Sequence, residues 1–208
     1  MSATDRSRAA TTAGGRPGNQ RADAQRNRIA ILAATPVALR KNPEASVADI
    51  AAEAGVGRMT LYGHFKTRAE LIEAAVVESL ERGDAVLSEV PLDGEPMQAL
   101  ARLVESSWSL VDQSRALLAA AQKELSASRI RELHQKAEAR MRDLLERGQR
   151  EGAFRGDLPV SWLLTTAHVV MNAAAEEITA GRLDPMDAAH YINAVLQPAF
   201  APSEEKER

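Results

Sequence analysis

Residues 46–71 read SVADIAAEAGVGRMTLYGHFKTRAEL. The spacing predicts two short helices joined by a tight turn, then the start of a third. Ser46 and Asp49 form an S-x-x-D capping box, which opens a helix at Val47. Ile50, Ala51 and Ala54 then share one helical face. Gly55 follows, the residue type that best tolerates the left-handed backbone of a tight turn. Val56 is apolar just after it and suits the space between two crossing helices. A second helix is expected over 58–64, with Leu61 and Phe65 four apart and facing inward. Thr67 and Glu70 repeat the capping pattern and open a helix at Arg68. Helix, glycine turn, helix is the arrangement whose second helix enters the DNA major groove.

Charge divides along the same line. The 208-residue chain carries a net charge of −3. Residues 1–68 hold 11 Lys and Arg against 5 Asp and Glu, a balance of +6. Residues 69–208 hold 15 against 24, a balance of −9. A basic first third on an acidic remainder implies that only the first third meets a polyanion. With 45% hydrophobic but 3% aromatic residues, the core must be built mainly from Ala, Leu and Val. The absence of cysteine removes disulfides, thiolate metal sites and Cys nucleophiles together and fits a reducing, cytoplasmic setting. No apolar run approaches the ~20 residues of a membrane span, and the polar N-terminus has no signal-peptide segment.

The helix-turn-helix stretch resembles the TetR family of bacterial one-component repressors. The residues carrying the resemblance are Ala54-Gly55-Val56, then Thr60-Leu61-Tyr62-Gly63-His64-Phe65, then Arg68. The resemblance implies an all-α fold: an N-terminal three-helix helix-turn-helix domain and a C-terminal helical domain for ligand binding and dimerisation. The divisions expected are a flexible basic arm over 1–20, the DNA-binding domain over 21–66, the helical domain over 67–200 and a charged tail over 201–208. The first turn of the recognition helix points into the groove. There Arg58 suits guanine O6 and N7, and Met59 a thymine methyl. The family pattern places Tyr62 near backbone and base edges, and Thr60, His64 and Arg68 on phosphates. Lys66 adds charge, and Ser46 completes the expected contact set at the start of the preceding helix. Three departures stand out: Gly63 replaces a larger side chain, Gly57 lacks a capping hydroxyl, and Ala48 lacks a base-contacting group. Operator choice should therefore lean on Arg58, Met59 and Tyr62. In the arm, Arg6, Arg8, Arg16 and Arg21 suit phosphates or a minor groove, and a solvated tail is the alternative.

Elsewhere the helical pattern is continuous. A first helix is expected over 22–40, kinked at Pro36, and a fourth over 68–89. Five more should span 97–112, 115–125, 129–151, 159–180 and 185–197, the last capped by Asp184 with Pro185 at its first position. The final two should form a homodimer bundle through Leu163, Ala167, Met171, Ala174, Ile178, Ile192, Val195 and Leu196. A small-molecule effector is implied by the family resemblance alone. His168 and Asn172, one turn apart on a largely apolar helix, either orient that ligand or satisfy each other or a dimer partner. Trp108 and Met141 are inward residues that line a cavity or pack in the core, and His134 borders a pocket or solvent. No cofactor is implied. The four histidines lack metal-ligand spacing, and no P-loop, G-x-S-x-G or G-x-G-x-x-G occurs. The expected function is a ligand-released repressor acting on a palindromic double-stranded DNA operator, not an enzyme. The alternative is an all-α small-molecule-binding protein or enzyme that does not touch DNA.

Overall fold

A computed structural model describes residues 17–202, and all regular structure among them is helical. The expected arm over 1–20 and tail over 201–208 lie for the most part outside the described residues. α1 spans Pro17–Lys41, starting earlier than expected. Pro17 suits a first turn because its missing N–H has no helical partner there anyway. The helix runs on through Pro36, where the fully buried Thr35 donates its hydroxyl to the Ile31 carbonyl at 2.8 Å.

α2 (Val47–Glu53) carries the full capping box: Ser46 N–H donates to Asp49 Oδ2 at 2.8 Å, and Asp49 N–H to Ser46 Oγ at 3.3 Å. These bonds hold the Asp49 carboxyl below the ordinary carboxylate value. Gly55 has φ +66°, the left-handed turn the sequence called for. α3 (Arg58–His64) follows, with Leu61 and the next residue, Phe65, almost wholly buried. Thr67 caps α4 (Arg68–Ser88) through Glu70 N–H at 3.0 Å. The Glu70 carboxylate accepts from Lys66 N–H rather than closing the box on Thr67.

α5 is one helix, Pro96–Glu124, where two segments were expected. Residues 113 and 114 hold no breaker, and Ser114 Oγ finds Ser79 Oγ of α4 at 3.0 Å. The segment expected over 129–151 is instead α6 (Ala127–Ala137) and α7 (Ala139–Arg150), interrupted at Glu138. Backbone bonds still span the interruption, Glu138 N–H to His134 O and Arg142 N–H to Glu138 O, both 3.0 Å. α8 spans Val160–Thr179 and α9 Ala188–Phe200. Asp184 does not cap α9. Its Oδ1 accepts from Met186 N–H at 2.9 Å and its carbonyl from Asp187 N–H at 3.1 Å, so residues 184–187 form a turn before the helix.

Two buried clusters result. The first joins Ile31, Leu39, Ile50, Leu61, Phe65, Leu71 and Ile72 of α1–α4 with Leu117, Ala120 and Ala121 from the end of α5. The second gathers Leu100, Leu103, Trp108, Leu145, Leu163, Ile192 and Phe200 of α5, α7, α8 and α9. Each large aliphatic or Phe side chain among them contributes about 1.5–3 kcal/mol when fully buried. α5 packs against α1, α4, α6, α7, α8 and α9, so it is common to both.

The expected dimer stripe is corrected by this packing. Leu163, Ala167, Met171, Ala174, Ile192 and Leu196 are buried in the chain's own second cluster. The apolar side chains left outward on α8 and α9 are Trp162, Val169, Tyr191 and Val195, each 49–61% exposed.

Candidate DNA interface and ligand cavity

The recognition face is held out by its supports. α2 and α3 are seven residues each, too short to persist alone. Leu61 and Phe65 anchor α3 in the first cluster, which turns positions 58, 59, 60 and 63 to solvent. Met59 is 81% exposed, an unusual position for a large apolar side chain. The Arg58 guanidinium lies 5.5 Å from the centre of the half-buried Tyr62 ring, within cation–π range. Thr60 and Lys66 are exposed, and Lys66 Nζ reaches the Tyr62 carbonyl at 3.4 Å. His64 is half-buried against Phe65, ring centres 6.3 Å apart. Gly63 meets nothing at its Cβ position, so no packing inside the protein requires a glycine there.

Two expected contacts are differently placed. The Ser46 hydroxyl is committed to Asp49 Oδ2 at 2.8 Å. The Arg68 side chain is only 26% exposed; its Nε donates to Glu124 Oε1 at 2.9 Å and its Nη1 to the Ala45 carbonyl. Arg68 therefore ties the helix-turn-helix to the end of α5 instead of standing free. Lys123 of α5 pairs with Glu44 beside it, and that contact lowers the Glu44 carboxyl. Sequence spacing carried no signal for Glu44, Lys123 or Glu124, which lie at long range.

A cavity of about 440 Å³ opens among α4, α5, α6, α7 and α8. Of the expected ligand residues, His134, Met141, His168 and Asn172 line it. Trp108 does not: it is buried in the second cluster alongside. Glu138 and Arg140, which the sequence had not singled out, also line the wall. His134 Nδ1 lies 2.8 Å from the Ile130 carbonyl, so that nitrogen carries the proton. His168 Nδ1 is 3.7 Å from Glu138 Oε1. Burial pushes the His168 imidazole below its ordinary value; Glu138 opposes the shift and His134 adds to it. A second depression, about 590 Å³ between α1 and α4, is rimmed by Glu70, Glu73, Glu78 and Glu81. The α4–α8 cavity is the better ligand site because its wall is mainly aliphatic. Among the described residues, no group of three or more His, Asp or Glu is arranged to hold a metal ion.

A chain whose described residues are helical throughout, with a capped helix-turn-helix, an outward recognition face and a separate cavity, is a helix-turn-helix regulator in class. Residues 31–75 match the model for bacterial regulatory proteins of the tetR family. The transcriptional repressor KstR2 of Mycolicibacterium smegmatis is 30% identical over 149 residues, 65% of this chain and 70% of KstR2. The repressor LfrR of the same organism is 37% identical over 87 residues, 41% of this chain but only 46% of LfrR. The chain belongs to the TetR family, whose members are DNA-binding regulators and not enzymes. The structure of LfrR in complex with proflavine superposes with a TM-score of 0.68 at 25% identity, covering 83% of this chain and 94% of that one. The fatty acid degradation regulator FadR from Bacillus halodurans superposes at 0.69 with 18% identity, over 88% and 97% of the two chains.

Among the described residues no helix is long and apolar enough to cross a membrane.

Proposed function

We propose that this chain is a cytoplasmic repressor that binds a palindromic operator as a homodimer and leaves it when a small molecule enters the α4–α8 cavity. Residues 17–66 serve as the reading head, and 67–200 as the sensing and dimerising part. The observation that carries the reading is the outward pairing of Arg58 and Met59 at the start of α3, one charged fork and one apolar tip on a helix anchored from behind. Arg58, Met59 and Tyr62 read base edges, while Thr60, His64 and Lys66 meet phosphates. Arg68 and Ser46 shape the unit from behind. Proflavine held by the related LfrR supports small-molecule sensing by this fold. A ligand that favours one spacing of the two recognition helices must weaken DNA binding by the same factor that DNA weakens its own.

Selection of genomic fragments by the purified chain identifies the operator. On it, Arg58→Ala is expected to cost about 1–3 kcal/mol and to relax specificity at one base pair per half-site. Unchanged selectivity in an anisotropy titration refutes the role. For the cavity, Gly83 offers the test. It is buried on the wall, and a Cβ there meets Leu110 Cδ1 at 3.5 Å. Gly83→Leu should fill the cavity, leaving operator binding intact and ligand release abolished. Normal ligand release from that variant overturns the cavity assignment.

A further inference from the structure

The α4–α8 cavity has a chemical bias. Much of its surface is aliphatic, with Leu80, Leu87, Leu103, Leu110, Leu118 and Met171 among its residues, beside a polar set on α5–α8. No Phe, Tyr or Trp lines it, so it offers no stacking surface for a planar aromatic ligand. Its charged groups differ in how fully they are used. The Glu138 carboxylate already lies between Arg142 Nη2 at 3.4 Å and His168 Nδ1 at 3.7 Å. Arg115 donates to the Ala175 carbonyl and the Thr179 hydroxyl. Asp84 and Arg131 also reach the wall. Arg140 stands out by its burial: its Nη2 donates to the Val90 carbonyl at 3.0 Å, but its Nε is buried without an acceptor. A buried charged donor left unpaired is costly, and an anionic oxygen restores a charge-assisted bond.

We propose that the cavity takes an aliphatic carboxylate, its chain along the α4 and α5 wall and its head on the Arg140 guanidinium. This rests on the reading of that cavity as the effector site. The position of Arg140 also gives the head group leverage. Three arginines hold the α4–α5 loop by its carbonyls: Arg140 takes Val90, Arg102 takes Pro91 and Asp93, and Arg147 takes Leu92 and Gly94. Of the three, Arg140 is the one that lines the cavity. A carboxylate on it engages the group that fixes the end of α4, and α4 begins beside the recognition helix.

The test is titration calorimetry on the full chain with dodecanoate, dodecanol, dodecylamine and ethidium. Dodecanoate is expected to bind one per chain and at least about tenfold tighter than dodecanol, a factor worth about 1.4 kcal/mol. Dodecylamine and ethidium should bind more weakly than dodecanol. Arg140→Gln should bring dodecanoate to the affinity of dodecanol without changing dodecanol. Should that variant fail to fold, the head-group ranking on the native chain decides alone. Preference for the amine or for ethidium, equal affinity for all head groups, or no dodecanoate binding overturns the proposal. If another of the probes binds and Gly83→Leu abolishes it, the cavity is a ligand site of a different class. If Gly83→Leu leaves probe binding and operator release unchanged, the cavity reading itself falls.

Discussion

A methyl group on Gly148 would overlap the ring carbons of Phe154. Both residues are buried, and the Gly148 carbonyl also accepts the Ala153 and Phe154 N–H groups at 2.8 and 3.1 Å. The ring is buried and packs edge-on against Phe200, centres 6.4 Å apart. Gly148→Ala is therefore expected to cost about 3 kcal/mol, the upper part of the overpacking range. That lowers the melting temperature by roughly 6–12 °C for a chain of this size. A melting temperature within a degree of the parent would show that Phe154 yields. His168 gives a prediction in pH. Burial holds its pKa below the ordinary value of 6.5, so the unfolded chain binds more protons in the window just beneath that value. Stability contributed by this site is fully present above about 6.5 and falls as pH drops, levelling off below the lowered folded pKa. Denaturant titrations from pH 7.5 down to 5 should show a shallower decline in His168→Gln than in the parent. Parallel declines would exclude His168 as the source.

Whole elements divide by how local their causes are. α2, α3 and the start of α4 were legible because capping box, positive-φ glycine and second cap all act within a few residues. α5 read as two pieces because its middle lacks strong periodicity, and its continuity comes from packing on six other helices. The interruption at Glu138 was illegible for a related reason: no Gly or Pro marks it, and its carboxylate faces partners on α7 and α8. Around the cavity, the sequence left His134 between pocket and solvent, and His168 and Asn172 between ligand and structural roles; all of these and Met141 line it, whereas Trp108 belongs to solid core. Arg68 is the sharpest case. A family pattern sends it to a phosphate, and in the structure its Nε donates to Glu124, 56 residues away, a partner that local spacing could not show. Arg68→Ala should accordingly cost about 1–2 kcal/mol of stability, between an exposed ion pair and a buried charged hydrogen bond. The salt slope of binding to random DNA should stay unchanged. A slope lower by about one unit per half-site would return Arg68 to the phosphate set.

At the scale of the molecule, the amphipathic pattern has one loose end. α8 buries Leu163, Ala167 and Met171 on its inner side, yet Trp162 and Val169 face outward at 57% and 61% exposure. α9 does the same with Tyr191 and Val195, and the two helices pack on each other. Scattered exposed apolar residues need no explanation, but four on one helix pair form a surface suited to association. A second copy meeting this face across a two-fold axis makes a four-helix bundle, with each side chain meeting its own symmetry mate's surroundings. Because the stripe facing the chain's own core is separate, a charge placed outside should break association without unfolding the monomer. Trp162→Glu combined with Val195→Glu is expected to sediment as a folded monomer at micromolar concentration, where the parent sediments as a dimer. Its circular dichroism should match the parent, and its operator affinity should fall steeply because one half-site alone remains engaged. A double variant that stays dimeric would move the interface away from α8 and α9. A folded monomer that keeps full operator affinity would instead dissociate DNA reading from dimerisation.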